Sequence, residues 1–291
     1  MKIGFSGHET FVCRTFWLKK GYDFLKEGQS FSQEDAVVRL GVGKNMVTAI
    51  NFWMRGFYML DRESNVITTL ATYLFEGKDP FLEDIASLWL LHYSVVKNQK
   101  VFIFNIFFNE FTKERNEFTK EHLIGFMKRK TEEDELKLFS EKTYEADATV
   151  FLRTYLRSND GKADLEDETA NLLVDLNLIN TYFKENPEGR QVQWYRVLRQ
   201  DRNDLPREVF LFAILDRFGG EPQTISLNEL LESPDSPGAI FSLSEKGLES
   251  KLKDLQRHYA EDINFSETAG NQVLQIRHPL NKWEILEEYY G

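Results

Sequence analysis

The stretch Ser32-Gln-Glu-Asp-Ala-Val-Val-Arg-Leu40, then Gly41-Val-Gly43, then Lys44-Asn-Met-Val-Thr-Ala-Ile-Asn-Phe-Trp-Met-Arg-Gly-Phe57 decides how this chain is read. A helix-turn-helix needs a short support helix, a tight turn containing Gly, and a second helix with one apolar and one polar face. Ser32 is placed to cap the first helix, with Asp35 three residues on in the role of the usual Glu of a capping box. Gly41-Val-Gly43 supplies the break. In the second helix Val47, Ile50, Met54 and Phe57 recur at helical spacing and predict the buried face. Opposite them Lys44, Thr48, Asn51 and Arg55 form a polar stripe, with Asn45 beside its start. Asn pairs with adenine and Arg with guanine in a major groove, while Lys more often meets phosphate. A polar stripe is also what any solvated helix face presents, so local charge has to weigh between the two.

Working outward, Phe11–Gly28 predicts a preceding helix, and the β-branched run Val66–Leu70 predicts a wing strand. From Asp79 a further helix is expected to about Val96, its acids at the end that the helix dipole favours. The layout then echoes. Thr119 caps a helix through Lys130, Ser140 begins another ending near Leu156, and Leu176–Leu198 reads as a hairpin turning at Asn186-Pro-Glu-Gly189. A third echo has helices over Pro206–Phe218, Ser226–Leu231 and Ser244–Tyr259, then strands over Ile263–Phe265 and Gln272–Ile276. The fold class expected is mainly α with small β-hairpins, built as serial winged-helix units. The three domains would span residues 1–100, 101–204 and 205–291. Asp164-Leu-Glu-Asp-Glu168 and Glu232-Ser-Pro-Asp-Ser-Pro-Gly238 read as solvated connections.

Composition bounds the function classes. With 42% hydrophobic residues and 24 Phe in 291 residues, the chain can bury a substantial core. The apolar run Val101–Phe108 stops well short of the roughly 20 residues that span a bilayer, and no secretory leader is visible, so a cytoplasmic protein without a membrane partner is expected. Cys13, the single cysteine, excludes an internal disulfide and any multi-cysteine metal site. A net charge of −11 argues against a protein that simply coats nucleic acid. Residues 1–60 nevertheless hold eight Lys/Arg against five acids, a local +3. That basic front favours nucleic acid over protein as the partner of the striped helix. The mixed-sign stripes Lys142, Glu145, Thr149, Arg153 and Lys246–His258 read as scaffold or partner faces.

Gly7-His-Glu-Thr-Phe-Val-Cys-Arg14 packs an imidazole, a carboxylate, a hydroxyl, a thiol and a guanidinium into one short segment. His8 has the chemistry of a general base or phosphate contact, and Arg14 that of a bidentate phosphate grip. The plainer reading makes Thr10 a helix cap and Glu9 a partner of the helix dipole. Arg14, Lys19 and Lys20 would follow as a basic run beside a DNA backbone. No P-loop, H-E-x-x-H, G-x-S-x-G or G-x-G-x-x-G motif is present. Asp79, Glu83 and Asp84 could hold a divalent metal, but at a helix start they more often serve the dipole and solvent. Cys13 reads as a buried small hydrophobe and His92 as a core histidine.

The set Phe5-Ser-Gly-His-Glu-Thr-Phe11, Arg14, Trp17-Leu-Lys-Lys20, Leu40-Gly-Val-Gly-Lys-Asn-Met-Val47, and Asp79-Pro-Phe-Leu-Glu-Asp84 leading into Leu88-Trp-Leu-Leu-His92 resembles the SspB-type family of bacterial DNA phosphorothioation-associated proteins. Ser140-Glu-Lys-Thr-Tyr144 and Phe265-Ser-Glu-Thr-Ala-Gly270 extend the resemblance over most of the chain. It implies a DNA-binding role in installing sulfur in the DNA backbone, beside an ATPase and a cysteine desulfurase. It also implies nicking of the strand for sulfur insertion, with Mg²⁺ or Mn²⁺ as the metal a nickase would use. The residues themselves point to DNA contact and show no nuclease centre; His8 and Glu9 are the candidates by chemistry. A helix-turn-helix transcriptional regulator and a non-catalytic interaction scaffold are the alternatives left open.

Overall fold

Spacing of apolar residues and the chemistry of caps set most of the elements. In the computed structural model, which describes residues 6–136, 138–157, 171–268 and 270–291, the chain forms two compact units. The first comprises residues 1–107 and 111–197, the second residues 108–110 and 198–291. Both are helix-rich with a small antiparallel sheet. Among the described residues no helix is long and apolar enough to cross a membrane.

The first unit opens with α1 (Trp17–Lys26), α2 (Ala36–Leu40) and α3 (Lys44–Gly56). Phe24, Ala36, Leu40 and Val47 close a small core, with Phe31 and Val42 packed against it. Gly41 ends α2 at φ +63°, a left-handed conformation that glycine enters at no steric cost. At Gly21 a Cβ would meet Met54 Cγ and Sδ at 2.9 Å, so the missing side chain lets α1 lie close on α3. On α3, Val47, Ile50, Met54 and the following Phe57 are all buried, as their spacing requires.

Three expectations in this region give way to local contacts. α1 starts at Trp17 rather than Phe11, because residues 6–10 form a turn with Ser6, Glu9 and Thr10 at positive φ; Thr10 caps nothing. Ser32 makes no capping box: its hydroxyl meets that of Ser30 at 2.9 Å, and Asp35 pairs with Arg39. Val66–Leu70 forms no strand beyond one bridge between Leu60 and Ile67. Thr68 instead turns its hydroxyl to Ala71 N and caps α4 (Thr69–Tyr73), which widens into a π turn over Leu74–Lys78.

α5 (Ile85–Lys97) is buried from Ala86 through Val96, capped by Asp84. α6 (Phe102–Ile106), a π turn and α7 (Thr112–Glu114) carry the apolar run inward. Phe104 and Phe107 pack on Phe151 at 5.0 and 4.5 Å between ring centres. Strand β1 (Glu117–Phe118) precedes α8 (Lys120–Glu133), capped by Thr119, and α9 (Glu141–Tyr155), capped by Ser140. β2 (Asn180–Glu185) and β3 (Gln191–Arg196) pair through Asn180↔Arg196 to Glu185↔Gln191, and the sheet order is β1-β3-β2. His92 is fully buried, its Nδ1 2.9 Å from the Tyr155 hydroxyl, which makes it a core histidine. The acidic stretch 164–168 and Phe5 lie outside the described residues.

The second unit repeats that strand order. α10 (Arg207–Phe218) is followed by β4 (Gln223–Ser226), α11 (Leu227–Glu232), α12 (Pro237–Ile240), α13 (Glu245–His258), β5 (Ile263–Thr268) and β6 (Asn271–Ile276), in the order β4-β6-β5. α14 (Lys282–Tyr290) closes it against α10. The segment 232–238 is not a plain solvated connection. Ser236, Pro237 and Gly238 are buried, Ser236 caps α12, and Asp235 N donates to Asn109 Oδ1 at 2.8 Å.

Candidate nucleic-acid interface

The exposed face of α3 begins at Gly43, whose extended backbone leads into Lys44. Lys44, Asn45 and Thr48 are exposed, and the Thr48 hydroxyl donates back to Lys44 O at 3.4 Å. Farther along, the stripe turns inward. Arg55 Nε donates to Asn51 Oδ1 at 3.0 Å, Nη1 to the carbonyls of Asp61 and Arg62 at 3.4 and 3.3 Å, and Nη2 to Asn65 Oδ1 at 2.5 Å. Burial lowers the pKa of its guanidinium from the ordinary arginine value, opposed by the charge of Asp61. Arg55, steadied by Asn51, therefore holds the loop 61–65, and Lys44, Asn45 and Thr48 are the stripe residues left facing out.

That loop is braced a second way. Asp61 Oδ1 accepts from Glu63 N at 3.1 Å, Ser64 N at 2.7 Å and the Ser64 hydroxyl at 2.7 Å. Those bonds, the Ser64 hydroxyl first, hold the Asp61 carboxyl below the usual carboxylate range.

On α1, Lys19 pairs with Asp23 at 2.5 Å, and Lys20 Nζ donates to Leu40 O at 3.1 Å, answering a carbonyl at the end of α2. Both line an open cleft of about 340 Å³ with Phe16, Asp23, Phe24, Glu27, Arg39 and Leu40. Arg14 stacks its guanidinium over Trp17 at 5.6 Å and bridges to Asn171.

His8 is 4% exposed and turned inward. Its Nδ1 accepts Thr10 N–H at 3.1 Å, which puts the ring proton on Nε2, and Nε2 donates to Asp147 Oδ1 at 3.0 Å. Ser6 N donates to the same oxygen at 3.1 Å, and the imidazole stacks 6.1 Å from Trp53 of α3. Glu9 is exposed beside it at φ +49°. The structure thus separates the two: His8 has both ring nitrogens engaged, and Glu9 faces solvent. Asp147 was legible only as one acid among mixed charges on its helix. The available signal was its position among Tyr144, Phe151 and Tyr155 at helical spacing, a carboxylate on an apolar face.

The carboxylates of Asp79 and Asp84 are structural, and that of Glu83 is exposed. Asp79 accepts from Glu83 N and Asp84 N at 3.0 and 2.9 Å, and Asp84 accepts from Ala86 N at 2.8 Å. Among the described residues no group of three or more His, Cys, Asp or Glu side chains is placed to hold a metal ion. Cys13 is fully buried, and burial pushes its thiol pKa up, as expected for an inert packing residue.

Two solved structures are similar to this chain along almost its whole length. Both are described as SspB crystal structures, one of them magnesium ion-bound; each is 25% identical, covering 99% of this chain and 88% of that one, with TM-scores of 0.80 and 0.79. No curated protein matches. The family described as "Protein of unknown function (DUF4007)" matches residues 5–290, and the chain belongs to that family.

Proposed function

We propose that this protein is the DNA-binding component of a bacterial DNA phosphorothioation system. The observation that carries the reading is the similarity to SspB over 99% of the chain. The exposed Lys44, Asn45 and Thr48 at the start of α3 support it on chemical grounds. The recurring sheet order, first-third-second with helices between the first and second strands, supports reading residues 101–204 and 205–291 as winged-helix modules. Residues 1–100 form the third module, with the loop 61–65 in place of a stranded wing. An ATPase and a cysteine desulfurase are the partners this role calls for.

Nicking is the activity proposed with this role. The magnesium ion is a property of one SspB structure, and no residue of this chain is assigned to hold it. No step is therefore routed through a metal. The test incubates supercoiled plasmid with the full chain, with and without Mg²⁺ or Mn²⁺, and measures duplex binding in parallel. Binding with conversion to open circle supports the whole reading, and binding alone supports the DNA-binding role without nicking. A chain that binds no DNA at low salt is a scaffold, and a symmetric dimer confined to one palindromic site is a transcriptional regulator.

A further inference from the structure

Arg62 stands apart from the other arginines near α3. It is half-buried, its Nε is shut away from solvent with no hydrogen-bond partner, and among the described residues its side chain makes no hydrogen bond or ion pair. An unanswered donor on a partly desolvated guanidinium opposes folding, and such groups are usually paired. The two acids nearest in sequence do not answer it. Asp61 spends Oδ1 on the turn at Glu63 and Ser64, while Glu63 lies 3.8 Å from Lys100 with 89% of its side chain exposed.

The neighbour that acts on it most is another cation, with Tyr58 opposing it. Arg55 reaches the carbonyl of Arg62 at 3.3 Å while fixing Asp61 and Asn65, so the loop that carries Arg62 is held by a second guanidinium. Burial first, and the charge of Arg55 second, lower the pKa of Arg62 from the ordinary arginine value. The Arg62 guanidinium on the braced loop, with no side-chain hydrogen bond, and the Arg55 guanidinium on α3 that holds that loop make a place where an anion relieves the repulsion between the two charges. The planar fork of Arg matches phosphate oxygens.

We propose that Arg62, with Arg55 as its brace and second charge, forms a phosphate-binding site on the loop after α3, occupied by a backbone phosphate when the chain is on DNA. The choice of DNA as the source rests on the function proposed above; a free phosphate or nucleotide would use the same donors.

The test compares the full chain with Arg62→Gln on a fluorescein-labelled duplex of arbitrary sequence across a salt series, and by melting in inorganic pyrophosphate. The site predicts several-fold weaker duplex binding by the variant, a slope of log affinity against log salt reduced by about 1, and a melting temperature no lower than wild type. Equal affinity and slope for the two proteins on duplex overturn the proposal. If the wild type binds no duplex, the DNA-binding reading fails separately. Pyrophosphate then decides: a stabilisation that Arg62→Gln loses keeps the site with free phosphate as its source, and equal behaviour removes it.

Discussion

His8 and Asp147, 139 positions apart in sequence, share a hydrogen bond of 3.0 Å in which both side chains are almost wholly buried. The bond ties the N-terminal turn to α9, and the same imidazole stacks on Trp53 of α3. Because Thr10 N–H occupies Nδ1, the ring turns Nε2 to the carboxylate as a fixed donor. A histidine held this way pins three segments of the first unit together.

His8→Ala is therefore expected to cost stability, roughly 1.5–3 kcal/mol, since it takes the imidazole donor from a buried carboxylate. Asp147→Asn, which keeps shape and accepts the same donors, is expected to cost less. Thermal or urea unfolding checks both. Full stability in His8→Ala with loss of plasmid nicking would instead return His8 to a chemical role. Glu9→Ala, at an exposed side chain, is expected to leave melting nearly unchanged, so any effect of that variant on nicking reads directly on chemistry.

The contrast between Ser140 and Ser32 explains how much of this fold could be read from sequence. Ser140, Thr119 and Ser244 each precede an apolar-periodic run and each caps the helix expected there, because capping is settled within three residues. Ser32 carries the same local signal, yet Ser30 captures its hydroxyl and Arg39 takes Asp35. The start of α1 depends on a longer-range contact: the 6–10 turn is held by Asp147. The helix α12 was hidden because Pro and Gly at 237–238 read as a loop, while their use is close packing. At the candidate interface, the basic start of α3 was legible in the stripe. The diversion of Asn51 and Arg55 to the 61–65 loop was not, since it depends on where that loop folds back.

Val47→Asp and Ile50→Asp are expected to unfold the N-terminal part of the first unit. These positions are 6% and 0% exposed, and each substitution places an unpaired charge in a core. Loss of cooperative melting, or insolubility, is the expected outcome. A soluble variant with wild-type melting would show the apolar face of α3 to be placed wrongly.

Lys44→Glu is expected to weaken DNA binding across unrelated sequences while leaving the fold intact, because the side chain is exposed and replaces a phosphate contact with repulsion. Gel shifts at low salt on two unrelated duplexes check it. Unchanged affinity on both would remove the start of α3 from the interface.

Gly238→Ala is expected to destabilise the second unit by about 1–3 kcal/mol. A Cβ there would lie 2.5 Å from Leu231 Cα and 2.6 and 2.7 Å from the carbonyl oxygens of Leu231 and Leu230, all backbone atoms that cannot swing away. Circular-dichroism melting of the full chain reads the effect. A variant as stable as wild type would mean that α11 and α12 separate without cost.

Glu117 gives the first unit a defined acid response. Its carboxylate bridges Lys184 at 3.0 Å and Arg196 at 2.5 Å, and the hydrogen bond from Lys184 leads the causes that hold its pKa down to about 2 against an ordinary 4.5. The folded pKa lies below the unfolded one, so the unfolded chain binds the proton more tightly. The contribution is fully present above about 4.5 and is lost as pH falls toward about 2. Glu117→Gln removes the titrating group. Its melting temperature is expected to lie below wild type at neutral pH, with the gap closing between about 4.5 and 2 as wild type loses the same interaction. Melting curves of the two proteins through that window provide the check. A gap that stays constant would show that the two cations stabilise the strand pairing β1–β3 and β2–β3 without help from the Glu117 charge.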